Sequence, residues 1–130
     1  MRADIVIYNL LKDNHTIYPQ VVPQAVPVSD GNVYCTYNVF NTEAVVSKTS
    51  YNDYDKYSVQ VSFFSSDLDA ALTEAETART TLDRYTGTIT VNSTNYNVQL
   101  IRFVNQEFVG FDEDSEVYMI AADYSIIMTQ

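Results

Sequence analysis

Tyr57-Ser58-Val59-Gln60-Val61-Ser62-Phe63-Phe64 runs without a break into Ser65-Ser66-Asp67-Leu68-Asp69-Ala70-Ala71-Leu72-Thr73-Glu74-Ala75-Glu76-Thr77-Ala78-Arg79-Thr80-Thr81-Leu82-Asp83-Arg84-Tyr85, and this stretch decides the fold. In its first part Tyr57, Val59, Val61 and Phe63 alternate with Ser58, Gln60 and Ser62, the period of a strand with one apolar face. The period then changes. Leu68, Ala71, Leu72, Ala75, Ala78, Leu82 and Tyr85 recur at helical spacing, with Glu74, Glu76, Arg79 and Asp83 largely outside the stripe. Ser66 reads as the N-cap, with Asp69 three residues on and Asp67 in the first turn, where the helix dipole favours an acid. Gly87 stands where a C-terminal stop is expected. A helix over about 67–85 follows, and its alanines let it approach a sheet closely.

Toward the N-terminus, Val33, Cys35, Tyr37 and Val39 alternate with Tyr34, Thr36, Asn38 and Phe40, a second strand. Residues 41–54 are polar apart from Val45-Val46 and read as a loop or an irregular hairpin arm. Pro19, Pro23 and Pro27 each remove a backbone donor and bias the preceding residue toward extended geometry, so 17–28 is an extended arm, closed by a turn at Ser29-Asp30-Gly31-Asn32. Ile5 to Leu11 is a short apolar segment. Its spacing alone does not separate helix from buried strand, but Leu10-Leu11-Lys12 and the polar stop after it favour helix. Toward the C-terminus, Thr88–Val91 and Tyr96–Val104 flank a hairpin turn at Asn92-Ser93-Thr94-Asn95. An acidic tip, Asp112-Glu113-Asp114-Ser115-Glu116, precedes a long strand at Val117–Met128. The expected fold is α+β: one domain over 1–130, a mainly antiparallel sheet packed by an N-terminal helix and one longer helix.

The chain has 130 residues, enough for one hydrophobic core, and 46% of them are hydrophobic. Seventeen acids against 7 bases give a formal net charge of −10, and the bases form no run. Affinity for a phosphate backbone comes from clustered Lys and Arg, so specific nucleic-acid binding is not expected. The single cysteine, Cys35, has no partner for an internal disulfide and fits synthesis in a reducing cytoplasm. No apolar run is long enough to span a membrane, and the first residues do not read as a signal peptide. Eleven tyrosines and no tryptophan suit an interface, and they equally suit packing on half-buried strands.

Candidate chemical sites are sparse. His15 lies in the polar turn Asp13-Asn14-His15-Thr16, and Cys35 on the apolar face of a strand, where a buried, inert thiol is the default; nothing in the sequence joins them as base and nucleophile. Two potential Cys or His ligands cannot make a structural zinc site. Asp112, Asp114 and Glu116 have the spacing of a calcium loop, but Val117 stands where such a loop needs glycine, which leaves them a weak metal candidate and a solvated tip by default. The three glycines are isolated, so there is no phosphate-binding loop. We expect no cofactor, no resident metal and no catalytic residues. Tyr51-Asn52-Asp53-Tyr54-Asp55-Lys56-Tyr57 places aromatic rings among small polar residues, as adaptable contact surfaces do, or is simply the polar approach to the strand at Tyr57.

The order of these elements, with Ile17-Tyr18-Pro19 and Val22-Pro23-Gln24 in the arm, resembles the tail-completion (tail-terminator, head–tail joining) family of long-tailed bacteriophages over nearly the whole chain. Gly31-Asn32 departs from relatives that carry a proline at the start of the following strand. The resemblance implies a virion structural protein without catalysis. It would be made in the bacterial host cytoplasm and located at the tail–neck junction, forming a homo-oligomeric ring, usually hexameric. That ring caps the tail tube, ends its polymerisation and joins it to the head–neck connector, with the major tail tube protein as its other partner. DNA passes through it without specific binding. On that reading Tyr18, Pro19, Val22, Pro23, Tyr51 and Tyr54 lie at subunit or tube contacts. Two other readings remain open: a neck or head-completion protein of the same virion, and a small acidic bacterial binding module.

Overall fold

Alternating strands of this length are half-satisfied objects, and the computed structural model shows how each finds its cover. It describes residues 2–19, 33–45, 54–114 and 116–129. Among the described residues six strands form one sheet in the order β1-β2-β3-β6-β5-β4. The elements along the chain are α1 (Ala3–Leu11), β1 (Ile17–Pro19), β2 (Val33–Val45), β3 (Tyr54–Ser65), α2 (Leu68–Leu82), β4 (Gly87–Val91), β5 (Thr94–Asp112) and β6 (Val117–Thr129). Among the described strands only the short β1 is parallel to its neighbour; the other pairings are antiparallel. The architecture is α+β with two helices, as the sequence predicts.

Register decides which side chains meet. Cys35, Phe63 and Ile120 lie side by side across β2, β3 and β6, as do Val39, Val59 and Tyr124. This face carries the core, closed by Val6, Ile7 and Leu11 of α1 and by Ala71, Ala75, Ala78 and Leu82 of α2, all fully buried. The core stripe of α2 is therefore mostly alanine. Leu72, which the periodicity places in it, is largely exposed instead. Small side chains bring the helix close enough for the sheet's larger ones, Phe63, Tyr124 and Ile126, to fill the space between them. On the opposite face Tyr34 stacks on Phe64 at 4.9 Å, and Thr36, Ser62 and Ala121 are buried too.

Three local expectations are corrected. The N-cap is Asp67 rather than Ser66: Asp67 accepts from the Asp69 N–H, and the Ser65 hydroxyl in turn accepts from the Asp67 N–H. The helix stops at Leu82 rather than near Tyr85. Arg84 (φ 68°) takes the left-handed position, and Gly87 already belongs to β4. The hairpin turn is two residues, Asn92 and Ser93, both at positive φ as a type I′ turn requires, so Thr94 and Asn95 are strand. Residues 41–45 and Tyr54 form the irregular hairpin arm, one of the two readings the sequence allows for that segment, and the irregularity comes from bulges. β2 shifts register at Phe40 and β5 does so at Gln99, Val104 and Val109, and each shift moves the apolar side chains off a strict period of two.

Because Ala78 is fully buried against the sheet, Ala78→Leu should overpack that contact. We expect a loss of about 1–3 kcal/mol in urea unfolding, against roughly 0.5 kcal/mol or less for Thr77→Leu on the exposed side of the same turn.

Candidate assembly surface

β5 divides at Phe103. Up to that point its outer side is occupied. β4 pairs with it from Thr94 to Val98, the Arg84 N–H donates to the Ile101 carbonyl, and the Ile101 N–H donates to the Tyr85 carbonyl. The Phe103 N–H then donates to Asp83 Oδ1 at 2.9 Å, and the Arg79 guanidinium lies 3.7 Å from the Phe103 ring centroid. Phe103 meets Tyr124 edge-on at 5.7 Å. The end of α2 is thus fastened to β5 by a carboxylate and a cation–π contact.

Beyond Phe103 no described strand pairs with the outer side of β5. The same stretch carries half of the exposed large apolar side chains of the described surface. Val104 is 62% exposed, Phe108 56%, Val109 51% and Phe111 45%. Phe108 and Phe111 share the core-side face with Ile120 and Tyr118, opposite them on β6, yet both are exposed. Their rings lie 6.3 and 4.7 Å from that of Tyr118, a small aromatic cluster open to solvent. Scattered apolar residues on a surface mean little, whereas a contiguous patch along an open strand edge marks an interaction site. The sequence pattern missed it because the strand was expected to end at Val104. The available signal was Phe103, Phe108 and Phe111 recurring among polar residues just before a turn.

The sequence-derived interface residues are not brought together by the described structure. Val22, Pro23 and Tyr51 lie outside the described residues. Tyr18 and Pro19 belong to β1, their backbones beside Thr36 and Tyr37. Tyr54 opens β3 between Val45 and Thr129, with its side chain partly exposed, at the other end of the sheet from Phe111. At the acidic tip Asp112 Oδ1 accepts from the Asp114 N–H. Among the described residues no group of three or more His, Cys, Asp or Glu could hold a metal ion.

His15 and Cys35, unconnected in sequence, share a corner. Thr16, next to His15, accepts through its carbonyl from the Cys35 N–H at 2.8 Å and from Cys35 Sγ at 3.4 Å. His15 Nδ1 pairs with Glu74 of α2, while its Nε2 is buried with no hydrogen-bond partner among the described residues. This corner ties the end of α1 to the middle of α2. Burial pushes the Cys35 thiol from 9.0 up to about 12, the nearby Glu74 carboxylate adding to the shift. A thiol held protonated is a poor nucleophile, so the corner reads as structural.

No protein-family model and no curated protein matches the chain. Among solved structures, the fold is similar to that of a chain in the virion of the native gene transfer agent (GTA) particle. The TM-score is 0.66 at 14% identity, and the match covers 100% of this chain and 89% of that one. At that identity the likeness is one of fold. No described helix is long and apolar enough to cross a membrane.

Two outcomes follow from the His15–Cys35 corner. Cys35 should resist thiol reagents near neutral pH until the protein unfolds. Its contribution to stability is intact below pH 9 and is lost as the pH rises toward about 12, because there the unfolded chain releases a proton that the folded chain keeps; unfolding curves between these limits read it. Separately, Glu74→Ala leaves the buried His15 ring without its partner and should cost about 1–3 kcal/mol in thermal or denaturant unfolding.

Proposed function

We propose that this chain is a structural virion protein that caps a phage tail tube as a ring, ends the tube's polymerisation and joins the tail to the head–neck connector. The observation that carries the reading is a likeness of fold, spanning the whole chain, to a protein that is built into a virion. Two further features support it. The order of elements and the Tyr18-Pro19 and Val22-Pro23-Gln24 arm resemble the tail-completion family. The described surface also offers an open, apolar strand edge, the kind of feature an assembling subunit needs and a free monomer avoids.

The mechanism on this reading is steric and interfacial, with no catalytic step. One face of the ring complements the last ring of the major tail tube protein. The other presents a surface that accepts the connector in place of another tube subunit, so growth stops. The net charge of −10 suits a wall past which DNA slides without being held. Tyr18, Pro19, Val22, Pro23, Tyr51 and Tyr54 are proposed contacts to neighbouring subunits or the tube.

Adding the purified chain to polymerising tail tubes tests the proposal. Capped tubes of limited length, with a closed ring at one end in negative stain, are expected. A chain that leaves tube growth unchanged overturns it, and a larger ring bound to the portal assigns the protein to the neck instead. Tyr51→Ala with Tyr54→Ala should weaken capping at least several-fold while the folded monomer persists; unchanged capping removes that loop from the interface.

A further inference from the structure

The edge of β5 from Val104 to Phe111 differs on its two faces. On the core-side face Phe108 lies beside Ile120 and Phe111 beside Tyr118, and both phenylalanines are exposed. On the other face Asn105 lies beside Asp123 and Glu107 beside Ala121. Val104 and Val109 stand at the register shifts and are exposed as well. Among the described residues no strand pairs with this stretch on the side away from β6. Its one charge is Glu107, and no lysine or proline blocks it.

Charge limits what can lie along such an edge. A strand added there continues the alternation of the sheet, with some side chains beside Phe108 and Phe111 and the intervening ones beside Glu107. Opposite charges paired across strands stabilise a sheet and like charges destabilise it, so the intervening residues suit lysine or arginine. The surroundings reinforce this: Asp123 shares the face of Glu107, and the exposed Glu113, Asp114 and Glu116 follow in the turn to β6. A second copy of the chain fits poorly. It brings the same net charge of −10. Among the described strands its only bases are Lys56 in β3 and Arg102 in β5. β3 is held between β2 and β6, and the outer side of β5 around Arg102 is taken by Asp83, Arg84 and Tyr85.

We propose that the β5 edge binds an extended segment of a different protein, one in which apolar residues alternate with lysine or arginine, laid along Val104–Phe111 as a further strand of the sheet. Backbone hydrogen bonds supply affinity, Phe108, Phe111 and Tyr118 take the apolar side chains, and Glu107 selects the basic ones. Glu113, Asp114 and Glu116 draw the partner in from a distance, an attraction that added salt screens. The inference stands on the edge alone and does not rest on the tube-capping reading.

The probe is the capped peptide Thr-Lys-Val-Lys-Phe-Lys-Val-Thr, added to the full chain, with binding read by fluorescence anisotropy and mapped by amide hydrogen exchange. Saturable binding that salt weakens is expected, with slowed exchange at those amides of Val104–Phe111 that point away from β6. A peptide of the same composition with its apolar and basic residues grouped should bind at least about tenfold more weakly, and so should the first peptide to Phe108→Lys. Glu107→Lys should lose the basic peptide and take the one carrying glutamate in place of lysine, a reversal that general attraction to a strongly acidic chain does not produce. Both positions are exposed, so these variants should keep the wild-type melting temperature. Equal binding of the grouped peptide, or no reversal with Glu107→Lys, overturns the proposal. Outward amides already slow to exchange in the monomeric free chain show that the chain covers its own edge, and overturn it too. Self-association that protects the same amides assigns the edge to a second copy instead. None of these results decides tube capping, which is read separately from tube length.

Discussion

Helices and strands of similar residue number differ in length by more than a factor of two, and the rest of this structure depends on that mismatch. α2 has 15 residues, about 22 Å at helical rise. β5 has 19, roughly 60 Å at extended rise before its bulges shorten it. One helix cannot cover such a strand. It covers the part up to Phe103, and the aromatic cluster of Phe108, Phe111 and Tyr118 continues the core-side face into solvent. The apolar patch is therefore a consequence of the lengths of the elements.

The boundary between covered and uncovered sheet is sharp because several interactions meet there. Asp83 leaves the helix and accepts from the Phe103 N–H, Arg79 lies over the Phe103 ring, and Tyr124 meets that ring from β6. The register shift at Val104 follows at once. A bulge bends its strand and increases the local twist, so β5 turns away where its fastening to the helix ends. At the opposite end of the core, His15 and Glu74 join the two helices, and the Thr16 carbonyl holds Cys35. These polar groups position elements of the fold.

The candidate surface of this protein is drawn out along one strand. Its distinctive side chains are spread along a line, and a line of backbone donors and acceptors recognises another line.

How much was legible in the sequence follows from which signals are local. The alternation at Tyr57–Phe63, the alanine spacing of α2, the apolar segment at Ile5–Leu11 and the Asn92-Ser93 turn each depend on near neighbours in the chain, so local periodicity determined the α+β class and most of the elements. Leu72 and Tyr85 fit the helical stripe by spacing, yet one points largely to solvent and the other lies past the helix end, because a sheet can seal only part of a helix. The full extent of β2 and β5 was hidden by bulges, whose extra residues are compensated only across the ladder by a partner strand distant in sequence. The meeting of His15, Thr16, Cys35 and Glu74 is likewise a product of strand order and helix placement. Sequence alone determined which segments had an apolar face to bury; tertiary structure decided which of those faces stayed open, because cover is a property of neighbours in space.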